Sequence, residues 1–302
     1  MSFSEDANKI LKAAPHWVGV TDQKNDRLAI YDLAVADWTD PAAVVWEYID
    51  PQHIDYPGGI KFRHTERWGD VLLYCGRMHA GILRISTKEM VFYTQDIPLN
   101  PHTVELLPNG TFLVGGTQQW SVYAYDAFGT SDRHTYEIKS DVDVHGLLWD
   151  PEYRVLWISG QHFIQPYQLS GSATDLTAVR ISDRTIDTGS LGIHDLSAVY
   201  GNKDKLWITM NSGVLQAHKK TLTVDRDYIG AEVIGHNPYT PGMGNFPDGV
   251  LAWTVPNNTL QDWDTDELYV YVPYGDGKAE KITYHHPDCA WYKCRVFCTD
   301  YQ

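Results

Sequence analysis

Three histidines, His102, His145 and His194, each open a segment of the same form: PHTVELLPNGTFLVGG, VHGLLWDPEYRVLWISG and IHDLSAVYGNKDKLWIT. Imidazole is the side chain best matched to proton transfer near neutral pH, and it is also the commonest metal ligand. If the three rings meet, they can act as base and proton donor. Alternatively, they hold a divalent ion (Mn, Zn or Ca) with open coordination positions. A third reading is structural, with buried neutral histidines that tie one strand to the next.

Whether the rings meet depends on the elements that carry them. Each histidine is followed by a short apolar stretch, a polar turn and a second apolar stretch, and the histidines lie 43 and 49 residues apart. A repeat of that length built from short strands marks the blade of a β-propeller, in which inner strands surround a central channel. Alternating apolar stretches bounded by turn residues divide the chain into six blades, near 16–50, 59–97, 102–139, 145–188, 194–235 and 248–302. The expected fold is therefore all-β: one six-bladed propeller over residues 1–302, with five or seven blades as alternatives. A short helix from Ser4 to Ala14 precedes it. The first blade lacks an inner strand, which the C-terminal KCRVFCTDY can supply, closing the ring and removing free sheet edges. The Gly- and Pro-rich segment GHNPYTPGMGNFPDG reads as a flap over the channel.

Propeller topology brings two sets of residues to one face. Inner-strand starts offer the three histidines together with Asp248 and the small Gly59. Loops between second and third strands offer Arg77 and His79, Gln118 and Trp120, Gln161 and His162, and Asn211. Arg77 is a candidate clamp for an anion or carbonyl because its planar fork makes paired hydrogen bonds. Trp120 can stack on a ring-shaped substrate or serve packing. Asp195, directly after His194, can orient a neighbouring ring or simply stabilise the strand entry.

Composition narrows the chemistry. A formal charge of −15 argues against nucleic acid and anionic membranes as partners, and favours a neutral or weakly charged small molecule. Eleven Trp and nineteen Tyr suit walls for flat or ring-bearing ligands. No phosphate-binding Gly-rich loop, G-x-S-x-G elbow or H-E-x-x-H is present, so nucleotide-dependent and serine-hydrolase chemistry are disfavoured. Cys289, Cys294 and Cys298 cluster behind His285 and His286, but their spacing matches no familiar zinc pattern, which leaves free thiols or one local disulfide ahead of zinc. The N-terminus lacks a signal-peptide pattern, so the expectation is a cytoplasmic monomer or weak dimer without a cofactor; a trimmed mature form would instead be secreted.

The three His-led segments at 102–116, 145–160 and 194–209, with support from Val18 to Asp32, resemble an uncharacterised β-propeller family. More distantly the chain is similar to oligogalacturonate-lyase propellers, which use histidines and a metal at the channel mouth for β-elimination. It is also similar to fungal hetero-Diels–Alderases, which hold apolar polycyclic substrates in a central pocket. These resemblances imply a small-molecule lyase or cyclase but assign no residue a role; it is their repeat position that makes His102, His145 and His194 the candidate working residues. The alternatives are a metal-dependent oligosaccharide lyase or glycosidase, and a propeller that binds a partner without catalysis.

Overall fold

Strands of two to eight residues with apolar side chains on both faces cannot stand alone, and in the computed structural model they pack as six small antiparallel sheets around one axis. Residues 3–190, 192–275 and 277–302 are described. The result is a six-bladed β-propeller with two short helices. The N-terminal helix spans Glu5–Ala13, with the Ser4 hydroxyl accepting from the Ala7 amide, and it buries Ala7 and Leu11. Among the described residues no helix is long and apolar enough to cross a membrane.

Ring closure follows the sequence expectation. The strand Trp291–Val296 pairs antiparallel with Trp17–Asp22 and becomes the inner strand of the first blade, outside which lie Arg27–Asp32 and Val44–Ile49. Gly19 sits where this blade meets the second: a Cβ there would lie 2.5 Å from the Phe62 ring, so the close approach requires glycine.

The last blade differs from expectation. Its inner strand is Met243–Asn245, inside the segment read as a flap, followed by Leu251–Thr254, Glu267–Pro273 and Ala279–His285. Asn245 explains why so short a strand holds. Its buried amide donates to the Tyr200 and Phe246 carbonyls and accepts from the Trp207 indole. This shift moves Asp248 into the following turn, at the end of the disc opposite the histidines, where it pairs with His16 at 2.8 Å.

Inner strands present alternate residues to the axis, and in four of the six these include charged residues. In Gly59–Thr65, Lys61 and Arg63 point inward; Pro101–Leu106 contributes Glu105, Ile193–Ala198 contributes Asp195, and Trp291–Val296 contributes Lys293 and Arg295. All six are buried. Arg63 grips both oxygens of Glu105 at 2.8 and 2.7 Å, and Lys61 donates to the same carboxylate at 3.1 Å and to the Leu147 carbonyl at 2.5 Å. Arg295 donates to Asp195 at 2.6 Å and to the Met243 carbonyl at 2.9 Å. Each cation thus reaches a blade other than its own.

Burial alone would raise the Glu105 carboxyl, but Arg63 and Lys61 more than offset it and hold its pKa at about 2. Burial lowers the Lys61 ammonium to about 8, although Glu105 opposes the shift. Because one carboxylate serves two cations, Glu105→Gln strands both, and a loss of about 3–5 kcal/mol in urea unfolding is expected. Lys61→Met leaves the Arg63–Glu105 pair whole and is expected within about 1 kcal/mol of the parent. Glu105 is lowered on folding, so its contribution is complete above its ordinary value near 4.5 and disappears as pH falls toward about 2. Acid-unfolding curves of Glu105→Gln should therefore lose this limb. An unchanged limb would mean that the axial pairs contribute little.

Candidate functional site at the histidine-bearing mouth

The expected convergence is present. His102 and His194 are each the second residue of an inner strand, and His145 stands directly before Gly146–Asp150. The His102 and His145 rings lie 5.1 Å apart between centroids, and His145 and His194 lie 6.0 Å apart, both edge to face. Beneath them, the Lys293 ammonium donates to the His102 and His194 carbonyls, both at 3.1 Å, and faces Asp195 at 3.7 Å.

Hydrogen bonds assign the rings their roles. His102 Nδ1–H donates to the Asn100 carbonyl at 2.7 Å, leaving Nε2 as the free acceptor. His194 Nε2–H donates to the Asn211 side-chain oxygen at 2.5 Å. His145 Nδ1 is buried without a hydrogen-bond partner among the described residues, and Asp143 Oδ2 stands 3.5 Å away. Burial, followed by the Lys293 charge, lowers His102 to about 4. Burial and then its His102, Lys293 and His194 neighbours lower His145 to about 2, and burial lowers His194 despite the Asn211 hydrogen bond. All three are neutral imidazoles at physiological pH.

A cavity of about 470 Å³ opens beside His102. Tyr56, Trp263 and Tyr292 form its aromatic wall, and Gln23, Asn100, Gln261 and Arg77 supply polar groups. That combination, ring surface interspersed with about as much polar surface, suits a small organic ligand that carries hydrogen-bonding groups. His145 and His194 stand beside this cavity rather than in its wall.

The other expected residues separate into groups. Arg77 lines the cavity, with Asp55 at 3.8 Å and the Tyr56 ring at 5.5 Å. Asn211 holds His194, and Gly59 belongs to the channel wall below. Trp120 is exposed on the same face, and Gln161 is half-buried at the start of its loop there. His79 is buried behind the loop, its Nε2 accepting from the Asp55 amide at 3.4 Å, with Tyr74 and Tyr93 against its ring. His162 packs on Phe163 with Asp187 at 3.9 Å, away from the cavity. Asp248 is at the opposite end, as described above. Asp195 pairs with Arg295 rather than orienting a histidine.

Among the described residues, no group of three or more His, Cys, Asp or Glu is arranged to hold a metal. The three imidazoles do not form such a set, and neither does the C-terminal cysteine cluster. Cys289, Cys294 and Cys298 are free thiols, and burial pushes the first two up to about 12.

Sequence reasoning missed Tyr292, Trp263, Tyr56, Gln23 and Gln261. Tyr292 carried a signal: it is the second residue of its inner strand, the position of His102 and His194 in theirs. The others come from loops whose lengths obey no repeat.

Fold and mouth together define a six-bladed propeller with a ligand-sized, histidine-edged cavity at one end of a charged and closed axis. The chain belongs to the DUF6528 family, described as a family of unknown function, whose profile matches residues 27–268. No curated protein matches it in sequence. A protein of unknown function from Bacteroides caccae superposes with a TM-score of 0.60 at 10% identity, over 93% of this chain and 98% of that one. Kuenenia stuttgartiensis hydrazine synthase does so with a TM-score of 0.53 at 15% identity, over 78% of this chain and 69% of that one. At such identities the likeness is one of fold alone.

The lowered histidines make a measurable prediction. Their protonation favours the unfolded chain, so stability is expected to decline as pH drops below 6.5, with the His102 share complete near pH 4. Replacing all three with Gln should flatten that decline. Histidine Cε1–H resonances titrating near 6.5 for these residues would contradict the burial that sets the site.

Proposed function

We propose that the protein is a small-molecule lyase or cyclase that works in the cavity beside His102. The observation that carries this reading is the fixed tautomer of His102. Its Nδ1–H is engaged by Asn100, so the unprotonated Nε2 is available to a ligand between Tyr292 and Arg77. In an elimination, Nε2 takes the proton from the substrate carbon, the electron pair enters the new double bond, and the leaving group departs. A base lowered to about 4 suits a proton already made acidic by a neighbouring carbonyl, which Arg77 can polarise. In a cyclisation the same nitrogen only accepts a hydrogen bond. Confinement between the aromatic walls then supplies most of the advantage, up to roughly 7–11 kcal/mol for well-oriented partners. A metal-dependent oligosaccharide lyase has less support, because the imidazoles do not converge as ligands.

The test is turnover of a complex small-molecule extract by the purified protein, followed by mass spectrometry. One component should be consumed and one product should appear. His102→Gln is expected to slow that conversion at least about 100-fold while the substrate is still retained. Tyr292→Ala should abolish retention. Retention with no conversion by the parent protein, and no effect of His102→Gln, would leave a non-catalytic binding propeller.

A further inference from the structure

The face that carries the cavity has a second feature, beyond the residues used above. Loops between second and third strands all emerge on this face, one per blade. Five of the six carry an amide side chain: Gln23, Gln118, Gln161, Asn211 and Gln261, with Arg77 in the sixth. Amides offer both donors and an acceptor, which match hydroxyl groups and have no preference for charge.

Between these amides stand aromatic rings that the fold leaves open to solvent: Trp120 at 45%, Tyr239 at 56% and Trp263 at 41% exposure. They are set one per loop around the mouth. Trp263 lines the cavity, its indole N–H held by the Gln23 side-chain oxygen at 3.0 Å, and the Tyr239 ring lies 6.3 Å from that of His194. Tyr56, Trp120 and Tyr239 have left-handed backbone, with φ of 53°, 48° and 56°. Bulky residues avoid that region, and such strain gathers where a side chain must be displayed. A protein-docking face would join its apolar residues into a core depleted of polar groups. Here isolated rings stand among amides. These loops and the connections between blades also carry Asp26, Asp55, Asp96, Asp143 and Asp262, an acidic surround that repels polyanions.

We infer that this face binds an uncharged oligosaccharide or glycoside, the aromatic rings stacking on sugar faces, the amides taking hydroxyls, and the terminal unit entering the cavity beside His102. The inference rests on the proposed site and specifies its substrate class; the elimination described above then requires an entering unit that carries a carbonyl, as a keto sugar or a carbonyl-bearing aglycone does.

The experiment is an array of immobilised neutral oligosaccharides built from hexoses, pentoses, deoxyhexoses and N-acetylhexosamines, with oligogalacturonates as the charged comparison, followed by calorimetry on retained compounds. The parent protein should hold at least one neutral series and no oligogalacturonate. The Trp120→Ala/Trp263→Ala double variant, altered at two partly exposed side chains, should bind it about 10-fold more weakly or worse while still unfolding in one cooperative transition. Retention of no neutral compound, preference for the uronate series, or indifference to the double variant would each overturn the inference. His102→Gln separates the two readings. Conversion of a non-sugar compound that needs His102, with no glycan held, overturns the sugar assignment alone. Glycan held equally by parent and His102→Gln, with no conversion, supports the sugar assignment and removes the catalytic one.

Discussion

The structure depends on buried cations that cross its axis. Six sheets arranged in a ring have no shared hydrophobic centre, because inner strands diverge from the axis and leave a channel. In this protein the channel is closed by Lys61, Arg63, Lys293 and Arg295 reaching across to Glu105, Asp195 and the carbonyls of distant blades. Lys293 alone links the first blade to the third and the fifth. Such pairs add little net stability compared with apolar packing, but they punish misregistration, since a strand shifted by one residue would bury a charge without a partner. The apolar clusters between neighbouring blades hold the ring together; the axial charges fix how its strands are aligned.

The same axis sets the character of the mouth. Lys293 sits under the histidines and, together with burial, keeps them neutral. It also fixes the strand ends from which His102 and His194 project, so their rings are supported from below by the fold rather than by a ligand. The site is thus rigid at its floor and variable at its rim, where loops of unequal length supply Tyr56, Trp263 and Gln261. That division between a repeated scaffold and irregular loops is where binding specificity arises in many folds.

Much of this was legible in the sequence, for physical reasons that differ by residue. The His-led segments revealed blades three to five because each repeats strand, turn and strand at one spacing. The C-terminal strand was recognisable because the first blade lacked a partner for Trp17–Asp22. Met243–Asn245 was not, since three residues among glycines and prolines carry no period. Asp248, placed at the mouth by that error, lies in a turn at the far end. The charged axis was not among the sequence expectations, although GIKFR and WYKCRV do alternate charged with apolar residues, a pattern that suits a channel-facing position. The cavity itself was out of reach, because its walls meet through loops whose conformations no local pattern specifies.

A channel with two open ends would give its ligand two approaches, and here one end is shut. After the closing strand, the chain crosses the end opposite the histidines. The Asp300 carbonyl accepts from Arg63 at 3.2 Å and from Tyr200 at 3.3 Å, and Tyr301 lays its ring 4.6 Å from the Arg63 guanidinium while donating to the Leu106 carbonyl at 2.6 Å. The segment that completes the ring therefore also seals it, and Arg63 serves both the seal and the Glu105 pair. A solute reaching His102 must come past the amide- and aromatic-bearing loops. Those loops are then more than a border around the cavity: they are the first surface that a solute at this end meets.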